Sequence, residues 1–160
     1  MNGNEILHPE LTVAAVVEER GRFLMVEEMV HGQAVFNQPA GHVEAGESLR
    51  EAVVRETLEE AAWHFIPEFI TGIYLWQPPE SPRSYLRVAI RGQLACQDRG
   101  RELDEGIMRS LWLSRDALEA RADKLRSPLV LRSIDDYHAG HRLPLESGDL
   151  MALARQAAVI

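Results

Sequence analysis

The chain has 160 residues, 46% hydrophobic and 26% charged, which fits one soluble domain of ordinary size and excludes disorder as the main state. Seventeen Lys and Arg against 25 Asp and Glu give a net charge of −8 and a pI near 5.2, so no polyanion-binding surface can rest on bulk positive charge. One cysteine, Cys96, excludes an intrachain disulfide and any multi-cysteine zinc site; a lone thiol of this kind is expected to be a small buried hydrophobe.

Met1 to Glu5 has no basic segment followed by an apolar one, and no window reaches the roughly 18 apolar residues of a membrane helix. The expectation is a cytoplasmic monomer with neither a membrane nor a nucleic-acid polymer as partner. It is a single domain over 1–160, with 1–10 and 147–160 read as flexible ends. In chain order, Leu11 to Val17 is a compact β-branched run, and Phe23 to Val26 follows the polar turn Glu18 to Arg22, which reads as a hairpin. Ser48-Leu49-Arg50-Glu51 is a capping box opening a helix that runs to about Trp63, with Pro67 limiting any continuation. Ile70 to Trp76 reads as a strand ended by the prolines at 78, 79 and 82. Tyr85 to Leu94 and Ile107 to Leu113 read as further strands. Ser114 caps a short helix through Ala122, and Pro128 opens one ending near Gly140. Leu150 to Ile160 fits either a docked helix or a frayed tail. The pattern is that of an α/β fold in which short helices pack on a mixed sheet.

The informative segment is Gly41 to Trp63. On a helix at about 100° per residue, Glu56, Glu59 and Glu60 fall within an arc of about 100°, with Val54, Thr57, Leu58 and Ala61 nearly opposite. The expected arrangement therefore packs the apolar residues on the sheet and turns the acids outward. The pairs Glu56–Glu59 and Glu56–Glu60 repel by roughly 0.2–0.5 kcal/mol each. A Glu-rich helix can simply be a solvated charge ladder through Glu51, Arg55 and Glu59. It can also be a platform of hard oxygen ligands for Mg²⁺ or Mn²⁺, which would relieve the repulsion. Gly41 and Gly46 in the preceding loop favour the second reading, because they let the backbone turn sharply and approach a phosphate.

These residues carry a resemblance. Gly41, Glu47, Arg55, Glu56, Glu59 and Glu60 stand at the spacing of the Nudix box, and six such matches arise by chance on the order of 10⁻⁷ per start site. Thr57 stands where an aliphatic residue is usual and Ala62 where a glycine is usual. The segments Phe36 to His42, Arg126 to Val130 and Pro144 to Glu146 resemble the bacterial phosphatase NudJ group of that superfamily. The resemblance implies an α/β/α sandwich and a hydrolase of phosphoanhydride bonds. The metal ligands it implies are Glu56, Glu59, Glu60 and the Gly41 carbonyl, with Glu56 or Glu59 as general base. Arg55 and Glu47 would pair to fix the loop on the helix. A further carboxylate often comes from another loop; of Glu102, Asp104 and Glu105, Glu105 is the choice.

For the substrate, Gln38 enters the loop. Tyr85 and Arg87 share a strand face, so an aromatic ring and a phosphate could be held together there. An ordinary cross-strand pair explains them equally well. Trp76 could stack on a ring or merely bury area. His42 reads as a residue behind the ligands. The implied substrates are nucleoside tri- and diphosphates, with phosphate released, and thiamine-type pyrophosphates such as that of hydroxymethylpyrimidine. The alternatives are a pyrophosphohydrolase yielding monophosphate and pyrophosphate, or a nucleotide sensor without turnover.

Overall fold

The computed structural model describes residues 6–148. The strands are β1 (Glu10–Val16), β2 (Glu18–Glu19), β3 (Arg22–Val30), β4 (Gln33–Asn37), β5 (Ala40–His42), β6 (Trp63–Trp76), β7 (Tyr85–Gln97), β8 (Ile107–Ser114) and β9 (Leu143–Pro144). The helices are α1 (Leu49–Ala61), α2 (Arg115–Glu119) and α3 (Leu129–His138), with 3₁₀ turns at Ala122–Lys124 and Leu145–Gly148. One sheet has the order β5-β1-β7-β6-β9, with β1 and β7 parallel and its other pairs antiparallel. In the second, β3 pairs antiparallel with β2, β4 and β8. The α/β class with a mixed sheet is as expected.

The hairpin expected from Leu11–Val17 and Phe23–Val26 is not formed in that way. β1 pairs with β5 and β7, and only Glu18–Glu19 folds back on β3, so one nearly continuous strand changes sheets at Val17. A single bond, Leu24 N–H to the Val17 carbonyl at 3.0 Å, spans the change. Both faces of β1 are covered, which explains the unbroken apolar run better than a half-exposed hairpin does. Val13, Ala15 and Val17 join Leu24, Val26, Val88 and Ile90 in one cluster with Ala52 and Val53 of α1. Val16, Phe23, Met25 and Ala89 face the other way, against Leu118 of α2 and Val130 and Ile134 of α3.

Strand β6 begins at Trp63, seven residues before the expected start. Pro67 does not break it, because a register shift between Pro67 and Phe69 removes the need for its missing N–H. The turn from α1 into β6 is made by Ala62, at φ +56°, whose N–H caps the Leu58 carbonyl. This left-handed conformation is what the usual glycine would adopt without strain. The capping box at Ser48 and Glu51 and the Ser114 cap are formed, though α2 stops at Glu119 and Pro128 sits just before the first residue of α3. At the ends, Glu10 already belongs to β1, while most of the expected tails, including Leu150 to Ile160, lie outside the described residues. Cys96 is exposed near the end of β7, not buried. No described helix is long and apolar enough to cross a membrane.

Candidate active site

Helix α1 departs most instructively from the sequence pattern. Its buried residues are Ala52, Val53, Glu56, Thr57 and Ala61, whereas Val54 and Leu58 are only half-buried. Glu56 is therefore on the inner face, 8% exposed, and half-buried Glu60 lies a turn further along it. The acids do not face outward as a group. They converge on a cleft of about 510 Å³ between the sheets, lined among others by Gly41, Glu56, Glu59 and Glu60 on one side and Trp76, Tyr85 and Arg87 on another.

Gly41 is what lets Glu56 in. Its φ is ordinary, so its role here is space: a Cβ at this position would lie 2.2 Å from the Glu56 carboxylate. Gly46, by contrast, supplies a left-handed turn at φ +93°. Arg55 ties the loop to the helix. Its Nε and Nη2 donate to Glu47 at 2.6 and 3.0 Å, its Nη2 also to the His42 carbonyl at 2.9 Å. Nη1 donates to Glu56 and Glu59 at 2.7 and 3.1 Å. This hydrogen bonding holds the Glu47 carboxyl below its ordinary range and raises the Arg55 guanidinium. His42, itself exposed, contributes that carbonyl, and its ring meets Glu10 at 2.7 Å.

The crowded acids show their mutual cost. Burial pushes Glu56 up against the pull of Arg55, with Glu59 and Asp104 adding repulsion. Burial likewise pushes Glu60 up to about 8, opposed by the Ala40 N–H at 3.0 Å and reinforced by Glu56, Glu28 and Asp104. Among the described residues, no three His, Cys, Asp or Glu side chains are already gathered at coordinating spacing; Arg55 stands between Glu56 and Glu59. The donor set nevertheless fits a hard divalent cation. It is all oxygen, it includes two carboxylates that burial pushes toward their neutral form, and Gly41 leaves the space that Glu56 occupies.

On the opposite wall, Arg87 is 6% exposed and aimed into the cleft from β7. Its Nη2 donates to Asn37 at 3.1 Å and to Gln38 at 2.9 Å, and complete desolvation lowers it to about 10. The ring of Trp76 stacks on that of Tyr85, 6.2 Å between centroids and 28° apart. Tyr85 and Arg87 thus share the cleft face, where an exposed cross-strand pair was the competing expectation. Gln38 is placed differently from its expected substrate contact. It is 1% exposed, outside the cleft lining, and spans Arg87 and the Val130 carbonyl, which it reaches at 2.9 Å. Glu105, though exposed, is also off the lining of the cleft. Its neighbour Asp104 lines it, held by a 3.0 Å bond from its N–H to the Glu59 carbonyl.

Sequence reasoning gave no role to Glu28, Asn37 or Arg126, all of which line the cleft. A signal existed for Glu28: it continues the inward alternation of Leu24 and Val26, where a charge is out of place. Arg126 is brought to the cleft by a 2.8 Å bond from its N–H to the Phe36 carbonyl, a tertiary contact that no local pattern announces.

A glycine loop feeding a carboxylate-bearing helix beneath a mixed sheet is an arrangement that known hydrolases share with this chain. The NUDIX domain model matches residues 7–132, and the chain belongs to the Nudix family. It is a hydrolase acting on phosphoanhydride bonds, and hydrolases of this family act on small phosphate compounds and generally use divalent metal ions such as Mg²⁺. Within the family the likeness is to the phosphatases called NudJ. The Escherichia coli (strain K12) protein is 40% identical over 139 residues, 86% of this chain and 89% of its own length. The Shigella sonnei (strain Ss046) protein matches to the same extent. A solved NUDIX hydrolase from Nitrosomonas europaea is 46% identical with a TM-score of 0.84, covering 87% of this chain and 95% of its own. A MutT protein from Methanosarcina mazei Go1, 20% identical with a TM-score of 0.67 over 86% of this chain and all of its own, shares the fold.

Proposed function

We propose that this protein is a Mg²⁺-dependent phosphatase of nucleoside tri- and diphosphates that releases orthophosphate, with Mn²⁺ able to substitute. The pyrophosphate of hydroxymethylpyrimidine and related thiamine-type pyrophosphates belong to the same substrate class. The reading rests above all on one observation: α1 turns Glu56 inward over Gly41, across a cleft from Arg87. Glu56, Glu59, Glu60 and the Gly41 carbonyl would hold the cation, with Asp104 in the place first given to Glu105. When bound, the cation neutralises phosphate charge, stabilises the leaving oxygen and acidifies water.

The chain's own residues do the rest. Arg55 and Glu47 hold the loop and helix in register, so the carboxylates are aimed before substrate arrives. Glu56 or Glu59 accepts the proton of the attacking water. Arg87, fixed by Asn37 and Gln38, offers a guanidinium to the phosphate chain. Trp76 and Tyr85 supply a flat surface for a ring. The enzyme works in the cytoplasm as a monomer and a single domain, and takes a small molecule as its only partner.

The test is a panel of nucleotides and cofactor pyrophosphates with Mg²⁺, read by phosphorus NMR in heavy-oxygen water. Orthophosphate from a nucleoside triphosphate is the expected product. Pyrophosphate with a monophosphate would replace the proposal by a pyrophosphohydrolase, and binding without turnover would replace it by a sensor. Sedimentation of the metal-loaded protein reads its oligomeric state.

A further inference from the structure

Arg55, Arg87 and Arg126 line the cleft, and two of them are already met by carboxylates. Arg55 is paired with Glu47, Glu56 and Glu59, and Arg126 has Glu28 at 3.3 Å. Arg87 is different. Among the described residues no carboxylate is in ion-pair range of it; Glu28 and Glu60 act on it only from further away. Its hydrogen bonds go to neutral oxygens, Asn37 Oδ1 and Gln38 Oε1, and both leave from Nη2. Nε is closed off without a partner. Nη1 has no bond among the described residues either, but it is not closed off as Nε is. A buried charge is normally met by an opposite one, because desolvation is costly. One held by neutral partners alone, at the wall of a cleft, keeps its charge for an anion that arrives from outside.

Gln38 is fully buried, and its amide can sit only one way round. Nε2 donates to the Val130 carbonyl in the first turn of α3, so Oε1 is the atom turned to Arg87. Reversed, the amide would set a donor against the guanidinium and an acceptor against the carbonyl. A glutamate of the same shape would bind the guanidinium more strongly, but it would neutralise it and press an oxygen on the Val130 carbonyl. Resting on the reading that the cleft takes a phosphoanhydride, we propose that Gln38 is a positioning residue for the substrate: it joins α3 to Arg87 through a neutral acceptor, so that Nη1 meets a phosphate group with its charge uncompensated. Gln38 touches no substrate and acts through Arg87 alone. Arg87 holds the phosphate chain before and during the reaction alike, so the effect of Gln38 falls on KM.

The experiment measures kcat and KM for ATP with Mg²⁺ in the wild type, Q38E, Q38M, R87M and Q38E/R87M, with melting curves to verify folding. It is run at about pH 8.5, above the range of a carboxylate beside a guanidinium and below the value of about 10 at Arg87. Q38E is expected to raise KM at least about tenfold while kcat changes by about threefold or less. Q38M, which brings no charge, raises KM less than Q38E although its shape departs further. In the R87M background Q38E changes KM by about twofold or less, because the two residues act as one. A Q38E enzyme with KM within about threefold of wild type overturns the inference. So does an equal rise in Q38E and Q38M, or an undiminished rise in the R87M background, since Gln38 would then serve the fold and not the charge of Arg87. If the Gln38 variants do not fold, NMR of the arginine side chains of the wild type decides, with Arg87 identified by the signals missing in R87K. Separate Nη signals for Arg87, shifted by methylenediphosphonate with Mg²⁺, are expected; one averaged signal, or none that moves, overturns the inference. If no nucleotide is turned over, the functional reading fails separately and the same titration, repeated on Q38E, judges Gln38: equal diphosphonate affinity in the two proteins overturns its role.

Discussion

Replacing Gly41 by alanine separates the chemistry of the cleft from the stability of the fold. The backbone at Gly41 has no positive φ, so alanine meets no conformational objection. The new methyl would lie 2.2 Å from Cδ and Oε1 of Glu56 and 2.4 Å from Oε2, where ordinary contact begins at 3.4 Å. All three atoms are the far end of a flexible side chain, so the carboxylate retreats and the backbone stays. It must move by about 1 Å, which breaks its 2.7 Å bond to Arg55 and takes it off the position where it would hold a cation. Misplacement of a reacting group by about 1 Å costs on the order of 10² in rate. The lost bond costs about 1–2 kcal/mol, or a few degrees in melting temperature for a chain this size. The assay is phosphate release from a nucleoside triphosphate at saturating Mg²⁺, beside calorimetric melting and Mn²⁺ titration. A G41A enzyme that keeps activity within about threefold of wild type would refute the assignment of Glu56, and with it the reason for a glycine at 41.

Three further outcomes follow from the same geometry. Ala62→Gly relieves the left-handed strain at φ +56° and raises stability by about 0.5–1 kcal/mol in denaturant titration; an unchanged midpoint would show that the methyl is worth as much as the strain. Arg55→Lys fails to restore activity to Arg55→Ala, because one ammonium cannot span Glu47, the His42 carbonyl, Glu56 and Glu59 together; equal rescue by lysine would reduce the clamp to a point charge. Glu60 sits at about 8 in the fold and near 4.5 when unfolded, so between those values the folded chain binds the extra proton. Stability without metal therefore declines as pH rises through that window, by up to about 1.4 kcal/mol per pH unit. Added Mg²⁺ should offset the decline, so its thermal shift grows with pH. A flat metal-free curve through the window would contradict this placement of Glu60.

How much was legible beforehand depended on whether the signal was local. The spacing from Gly41 to Glu60 lies on one loop and one helix; the capping box follows from the local sequence, and the ion pair of Glu47 with Arg55 is what the resemblance implied. The orientation of α1 was misread because amphipathicity assumes that buried means apolar. Here the inner face spends Glu56 on the cleft and leaves Leu58 half-buried. Gln38 and Glu105 were misplaced for a related reason. Neighbours on a strand or loop point opposite ways, and only their packing says which one meets the cavity.

The sequence by itself determined the helix, its N-terminal capping box, the strands β1, β3, β7 and β8, and the identity of the acids, since each depends on residues a few positions apart. The tertiary structure alone decided that β1 leaves β3 for a parallel partner in the other sheet, and that Glu28, Asn37, Arg87 and Arg126 meet on one wall. Those contacts join residues tens of positions apart, whose approach is set by the packing of two sheets and by the few partners a buried charge can find.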